Sequence, residues 1–324
     1  MIVQRYTADQ QPQWDDFVSN SKNGTFLFFR GYMDYHRDRF PDHSLLVRGG
    51  PDRLLAVLPA HREGDTLISH DGLTYGGFVY DDAMKLGLML EVFDATLTYL
   101  QEVGVHHLVY KTIPHIYHRA PAEEDRYALF AAGAQWIRCG ALAVVQRGRR
   151  IAYQERRSRG IKRARGHGLT VARSTDFEGY WAILTERLEK SYHARPVHTA
   201  VEMGRLSRRF PEHVKLFACH RQATMVAGIV IYETANVART QYIASTDAGR
   251  SMGAVDLLLD HLLTDVYEGK PYFDLGTSEA DGPAVVNQGL VEQKEGFGAR
   301  AVGLDQYTVP LADWKPGQLL KVFA

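Results

Sequence analysis

Two pairs of helix-ending glycines stand 165 residues apart, Gly104 with Gly269 and Gly133 with Gly298. That offset is far longer than any solenoid repeat, and the segments around it recur in the same order. Leu45-Leu46-Val47 turns at Gly49-Gly50-Pro51-Asp52 into Leu54–Leu58, which reads as strand, turn, strand. Lys215–Ala218 turns at His220–Ala223 into Met225–Tyr232, and this second hairpin answers the first. Leu86, Met89, Phe93, Leu97 and Leu100 then mark one helix face before Gly104 and a strand at Val105–Tyr110. Val255, Leu258, Leu259, Leu262 and Val266 mark another before Gly269 and a strand at Pro271–Leu275. Helix Glu123–Ala132 leads to strand Ala141–Val145, as helix Ala284–Glu295 leads to strand Val302–Val309. Each half is therefore hairpin, third strand, helix, strand, helix, strand. The order is α/β (mixed α+β), and it predicts two tandem domains, each a mixed β-sheet flanked by helices. A length of 324 residues suits that number. The expected division is 1–150 and 151–324, with a basic linker helix opening the second domain.

That junction holds the main electrostatic feature. Arg147–Arg173 carries ten Lys/Arg and one acid, Glu155, for a local charge of +9. The rest of the chain has 28 basic and 37 acidic residues, so the total of zero is a cancellation. A uniformly basic nucleic-acid binder is excluded, whereas a local phosphate-binding patch and a solvated linker helix both fit. Ser158–His167 reads as a basic helix. Thr175-x-x-Glu178 then has the pattern of a capping box for a helix whose apolar face is Phe177, Trp181, Leu184, Leu188 and Tyr192.

No run of about 18 apolar residues predicts a membrane span, and Met1–Gln11 lacks the features of a signal peptide. Cys139 and Cys219 stand far apart, without metal or redox spacing. A reduced, cytoplasmic protein is expected. His115-x-x-His118 has Pro114 against the helix a metal pair would need, so no metal is expected. Serine-hydrolase elbows and P-loops are absent.

The C-terminal half carries a resemblance. Tyr272-Phe273-Asp274-Leu275-Gly276-Thr277-Ser278 resembles the "FDFGGS" segment of FemAB-like acyltransferases. Asn287–Ala299, with Gly289-Leu290 and Lys294-Glu295-Gly296-Phe297-Gly298-Ala299, resembles their "GLxxFKxxFGA" segment, although Gln293 stands where the family often has Phe. The basic helix before Gly168-Leu169-Thr170-Val171 fits as well. The resemblance covers the whole chain loosely and residues 156–308 better. It implies two tandem GNAT folds and transfer of an acyl or aminoacyl group to an amine by direct attack. Acetyl-CoA or another acyl-CoA is the expected donor, and an amine of a sugar (nucleotide-linked sugars included) or cell-envelope precursor the expected acceptor. The first alternative is an aminoacyl-tRNA donor, gripped by the +9 segment. The second is a non-catalytic nucleotide- or nucleic-acid-binding module on the same scaffold, which would bind without turnover.

Amide formation needs a deprotonated amine, a polarised carbonyl and a protonated leaving group. Lys294, late in its helix, is the candidate for stabilising negative charge, with Asp274 at a strand end to position it or the amine. His198, in a loop, is the candidate general base, with Glu202 one turn later to orient it. Lys294 as a solvated helix residue, and Thr199–Glu202 as a plain N-terminal cap, are the packing alternatives. Gly249, Arg250, Ser251, Gly253 and Ala254 resemble the R/Q-x-x-G-x-G/A loop that binds pyrophosphate in GNAT enzymes, with Val255 in the last position. The same residues also suit an ordinary turn before a helix. His70 and Tyr75, in Ser69–Gly77, are expected to line an acceptor pocket with Tyr242, or else to pack in a tight β-bend.

Overall fold

The computed structural model describes residues 1–51, 53–279 and 285–322. In chain order the strands are β1 (Ile2–Arg5), β2 (Leu45–Arg48), β3 (Leu54–Leu58), β4 (His61–Glu63), β5 (Thr66–Ile68), β6 (Val79–Tyr80), β7 (His107–Lys111), β8 (Gln135–Gln146), β9 (Leu169–Ser174), β10 (Val214–Arg221), β11 (Thr224–Glu233), β12 (Val237–Ser245), β13 (Tyr272–Asp274) and β14 (Arg300–Pro310). The helices are α1 (Gln11–Asn20), α2 (Arg30–Met33), α3 (Leu86–Glu102), α4 (Glu124–Ala131), α5 (Glu155–Gly166), α6 (Phe177–Tyr192), α7 (Ala200–Arg209), α8 (Asp247–Met252), α9 (Ala254–His261) and α10 (Gln288–Glu295). The expected mixed α/β order of both halves is present.

The chain forms two compact units, Met1–Gly140 with Gly303–Ala324, and Ala141–Val302. This differs from a division at residue 150, and strand pairing gives the reason. The closing strand of each repeat joins the sheet of the other unit. β14 pairs antiparallel with β7, Tyr307 opposite Tyr110. Val144–Gln146 of β8 pair antiparallel with β13, Phe273 opposite Val145. The last strand of each half is thus not spent locally.

The first unit contains an antiparallel sheet ordered β1-β2-β3-β6 and the run β4-β5-β7-β14. Every residue of β2 is buried, as its continuous apolar run requires. Helix α3 turns Met89, Leu90, Phe93, Leu97 and Leu100 into this core, where Val309, Leu311, Trp314 and Leu319 also pack. Asp94 of α3 accepts hydrogen bonds from the backbone of Gly317 (2.8 Å) and Leu319 (3.2 Å), which ties that segment down.

The second unit orders β8-β13-β12-β11-β10-β9, with the β12/β13 pair parallel and the others antiparallel. Helix α9 places Leu257, Leu258 and Leu259 on the sheet beside Ile229, Ile231 and Phe273. Helix α6 is capped by Asp176, whose Oδ1 accepts the Gly179 N–H at 2.8 Å, rather than by Thr175. Helix α10 begins at Gln288 behind the Asn287 cap. The expected start at Ala284 lies outside the described residues.

The basic segment is only partly a free patch. Helix α5 turns Ile161 and Ala164 inward and docks on α9 through ion pairs: Arg157 with Asp256 at 2.6 Å and Arg165 with Asp260 at 2.8 Å. Arg156 pairs with Glu292 of α10 at 3.2 Å. Arg159, Lys162, Arg163 and Arg165 remain exposed. No described helix is long and apolar enough to cross a membrane.

Candidate functional site

Strands β12 and β13 run parallel only as far as the Arg239–Asp274 pair. There β13 stops, while β12 continues to Ser245. On its other edge β12 slips register against β11: Thr240 faces Ile231 and Tyr242 faces Val230, so Gln241 is the extra residue. Two parallel strands therefore part at a fixed point, and the polar residues gather there.

Asp274 is wholly buried at the fork. One carboxylate oxygen accepts from the Arg239 guanidinium, and the other accepts the Gly276 N–H at 2.6 Å. A buried carboxylate is tolerable only when paired and hydrogen-bonded in this way. Lys294 comes from the last turn of α10 and is 9% exposed. Its Nζ donates to the carbonyls of Gly276 (3.1 Å) and Thr277 (2.5 Å). Burial pushes its pKa down to about 8; Asp274 opposes that shift and Arg239 adds to it. The helix is fixed by Phe297, fully buried and edge-on to Tyr153 at 5.3 Å. Gly298 follows at φ +87, where a Cβ would lie 2.5 Å from the Ile151 carbonyl oxygen. The spacing of Lys294, Phe297 and Gly298 thus has a mechanical meaning: the aromatic and the glycine seat the helix that aims the lysine. Asp274 and Lys294 are brought together. Arg239 was not legible as a site residue, since a single Arg between the buried Ala238 and Thr240 looks like the polar side of an alternating strand.

Further along β12, Tyr242 meets His198. Its hydroxyl lies 2.6 Å from His198 Nδ1. Trp181 of α6 stands edge-on to the Tyr242 ring at 5.2 Å and donates its indole N–H to the His198 carbonyl at 2.9 Å. Glu202 caps the helix that follows His198. Its carboxylate accepts the Thr199 N–H at 2.7 Å and its own N–H donates to Thr199 Oγ1 at 3.1 Å, a capping box for α7. The contact between His198 and Tyr242 joins residues 44 positions apart.

In the first unit Tyr75 packs among rings, 4.4 Å from Tyr117 and 5.9 Å from Phe28, with its hydroxyl donating to Thr25 Oγ1 at 3.1 Å. At 1% exposure it is a core residue and not the wall of an open pocket. His70 is 2% exposed and has a left-handed φ of 65. It stands with His36 and His61 at ring separations of 5.3 and 5.5 Å. Burial holds its pKa far below the usual imidazole range, and so keeps it neutral. The loop around it is tied from beneath by Lys111, whose Nζ donates to the carbonyls of His70 and Leu73, each at 3.2 Å.

No family model and no curated protein sequence matches the chain. Solved structures do. FemX is similar over 100% of both chains, at 11% identity and a TM-score of 0.67. L-PGS from Bacillus licheniformis is similar over 90% of this chain and 95% of its own, at 11% identity and 0.57. A tandem GNAT protein from the clavulanic acid biosynthesis pathway covers 97% and 99%, at 13% identity and 0.51. The chain has a FemAB-like tandem GNAT fold.

A tandem GNAT fold raises coenzyme A, and the residues expected to hold its pyrophosphate can be tested for fit. They do not form an open loop. Gly249, Arg250 and Ser251 lie in α8, capped by Thr246 Oγ1, which accepts the Gly249 N–H at 2.9 Å. Arg250 reaches back to Asp247 of the same helix at 2.8 Å. Gly253, at φ +84, is pressed against α5, where a Cβ would lie 2.5 Å from the Gly160 carbonyl oxygen. Ala254 starts α9, and the third residue of that helix is Asp256, paired with Arg157. The first turn of that helix thus already carries a carboxylate, which disfavours a further anion there. Close packing explains both glycines, Gly253 against α5 and Gly249 against β11, where a Cβ would lie 2.2 Å from the Val226 carbonyl oxygen, and a pyrophosphate does not fit at this place. Arg250→Ala is therefore expected to leave coenzyme A titrations unchanged in calorimetry. A clear weakening would restore the phosphate-loop assignment.

Proposed function

We propose that this protein is an N-acyltransferase that works by direct attack of an amine on an acyl carbonyl, with Lys294 as the oxyanion-stabilising group. The buried Lys294 ammonium at the strand fork is the observation that carries this reading. An ammonium has three donors, two of which go to the Gly276 and Thr277 carbonyls. The third has no hydrogen-bond partner among the described residues and can meet the carbonyl oxygen as it becomes negative, in a site where burial strengthens the interaction. Asp274 and Arg239 hold the loop that presents those carbonyls. In the transfer, the C–N bond forms, the bond to the leaving group breaks with its electron pair, and the amine's proton ends on the leaving group. No cysteine is required. Cys219 is a core residue whose pKa burial pushes up to about 12, which removes it as a nucleophile.

Two of the similar structures name related chemistry. One is described as a putative lysylphosphatidylglycerol synthetase domain from Agrobacterium fabrum, and the tandem GNAT protein is described as a form without AcCoA. Sequence identities of 11–13% carry the fold alone, so substrates rest on the site. The amine of a nucleotide-linked sugar or cell-envelope precursor remains the acceptor reading. For the donor, the Asp256 carboxylate in the first turn of α9 speaks against acyl-CoA held there through its pyrophosphate. The exposed Arg159, Lys162 and Arg163 of α5 support an aminoacyl-tRNA as the second reading.

The test incubates full-length protein with radiolabelled acetyl-CoA or alanyl-tRNA and a set of UDP-linked amino sugars. An amide product from either donor, lost in Lys294→Met, is the expected result. Binding of either donor without any product would favour a non-catalytic module.

A further inference from the structure

The fork supplies a place for negative charge, and its one carboxylate named above, Asp274, is already engaged by Arg239 and the Gly276 N–H. Beyond the fork on β12, we infer that Tyr242 and His198 form a coupled proton-handling pair that takes the amine's proton and returns it to the leaving group, an inference that rests on the acyl-transfer reading above.

Three elements build the pair. The bulge at Gln241 resets the side-chain alternation of β12 just before Tyr242. The capping box of α7 fixes the chain at Thr199, immediately after His198. Trp181 of α6 braces both members, packing against the Tyr242 ring and holding the His198 carbonyl. Such bracing suits a proton relay, in which a small displacement breaks the path.

The relay requires a definite starting place for the proton. The His198 backbone N–H points at the Tyr242 hydroxyl oxygen at 3.4 Å, which makes that oxygen an acceptor on one side. That hydroxyl lies 2.6 Å from His198 Nδ1, and the inferred relay has the phenol donating there, with the imidazole hydrogen on Nε2. His198 is 6% exposed whereas Tyr242 is half-buried, so the phenol is the member that meets a substrate. A phenol alone is a poor base near neutrality, with a pKa of about 10. Passing its proton to an imidazole at the moment of attack makes the oxygen competent.

The step balances. As the amine nitrogen bonds to the acyl carbon, its proton moves to Tyr242 Oη while the phenolic proton moves to His198 Nδ1, giving an imidazolium. As the leaving group departs with the bonding pair, Nδ1 returns its proton to Oη and the phenolic proton passes to the leaving group. The pair is restored, and no oxidant or further reactant is consumed.

Long-range proton–nitrogen spectra of the full-length chain with 15N-labelled histidine are the first test. Wild type should show His198 as the Nε2–H tautomer with Nδ1 hydrogen-bonded, and Tyr242→Phe should shift Nδ1 while leaving the other histidines in place. An Nδ1–H tautomer, or a His198 signal indifferent to Tyr242→Phe, overturns the pair whatever the protein's reaction. The second test is kinetic, with whichever of acetyl-CoA and alanyl-tRNA the wild type uses. Tyr242→Phe should lower kcat about 100-fold, with KM for the donor nearly unchanged, and should abolish the solvent deuterium effect on transfer. His198→Gln, which keeps Tyr242 and its packing, should do the same. A kcat within about twofold of wild type in both variants removes the catalytic role even though acyl transfer itself stands. No transfer by wild type from either donor overturns the acyl-transfer reading and this role with it.

Discussion

Lys294→Met is expected to lower kcat by about 100- to 1,000-fold, the usual cost of removing one donor from a developing oxyanion. Methionine keeps all but the terminal atom of the unbranched side chain and removes its charge, so the fold should persist, with circular dichroism as the check. The wild-type pH profile supplies the more specific signature. The Lys294 pKa is pushed down to about 8, so the ammonium form is lost as pH rises through that value, and kcat/KM should fall above it. Lys294→Arg stays charged across the range and should flatten that limb, whatever it costs in absolute rate. A profile level to pH 10 in wild type would remove the ammonium from the mechanism. The linkage to stability has the opposite sense. The folded pKa lies below the ordinary lysine value of about 10.4, so the unfolded chain holds the extra proton between about pH 8 and that value. Within that window, the contribution of Lys294 makes the folded state more stable as pH rises.

The second large effect concerns stability. Asp274→Ala removes the carboxylate that faces both Arg239 and Lys294, and also the acceptor of the Gly276 N–H. Breaking a buried pair from one side leaves a charge uncompensated, at a cost of about 3–5 kcal/mol. Asp274→Asn keeps an acceptor for Gly276 and should cost less. Urea unfolding of the two variants provides the comparison, read as a change in midpoint at constant slope. A loss below about 1 kcal/mol for the alanine variant would mean that the pair is solvated in solution and does not organise the fork.

The sequence was most informative where a local rule governs a residue. Apolar periodicity located α3, α6 and the β10–β11 hairpin, because burial against one sheet fixes the spacing of their side chains. Glycine at φ +72 ended α3 and α4, as their positions implied. Lys294 and Asp274 were legible because they sit in segments with a recognisable pattern. What escaped depends on distant chain. Arg239 acquires meaning only when a strand 35 residues on brings Asp274 beside it. The contact of Tyr242 with His198 was not legible either, because it joins residues 44 positions apart, whereas the capping box between Thr199 and Glu202 is local. The expected phosphate loop failed for a related reason. Glycines permit both an exposed cradle and a close helix crossing, and only the position of Gly160 decides between them. The exchange of closing strands could not be read from either repeat, since β14 satisfies the same pattern whichever sheet it joins.

That exchange has a consequence for biosynthesis. The first unit draws β14 and the core side chains Val309, Leu311, Trp314 and Leu319 from a stretch that follows the whole second unit in the chain. Until that stretch is translated, the first unit has an unsealed sheet edge at β7 and a gap over α3. The usual vectorial order, in which the N-terminal unit folds first on the ribosome, is therefore closed to it. The second unit, whose residues have all emerged by Val302, is the one able to finish earlier. A premature stop between Val302 and Val309 would spare the fork and leave the first unit unfinished.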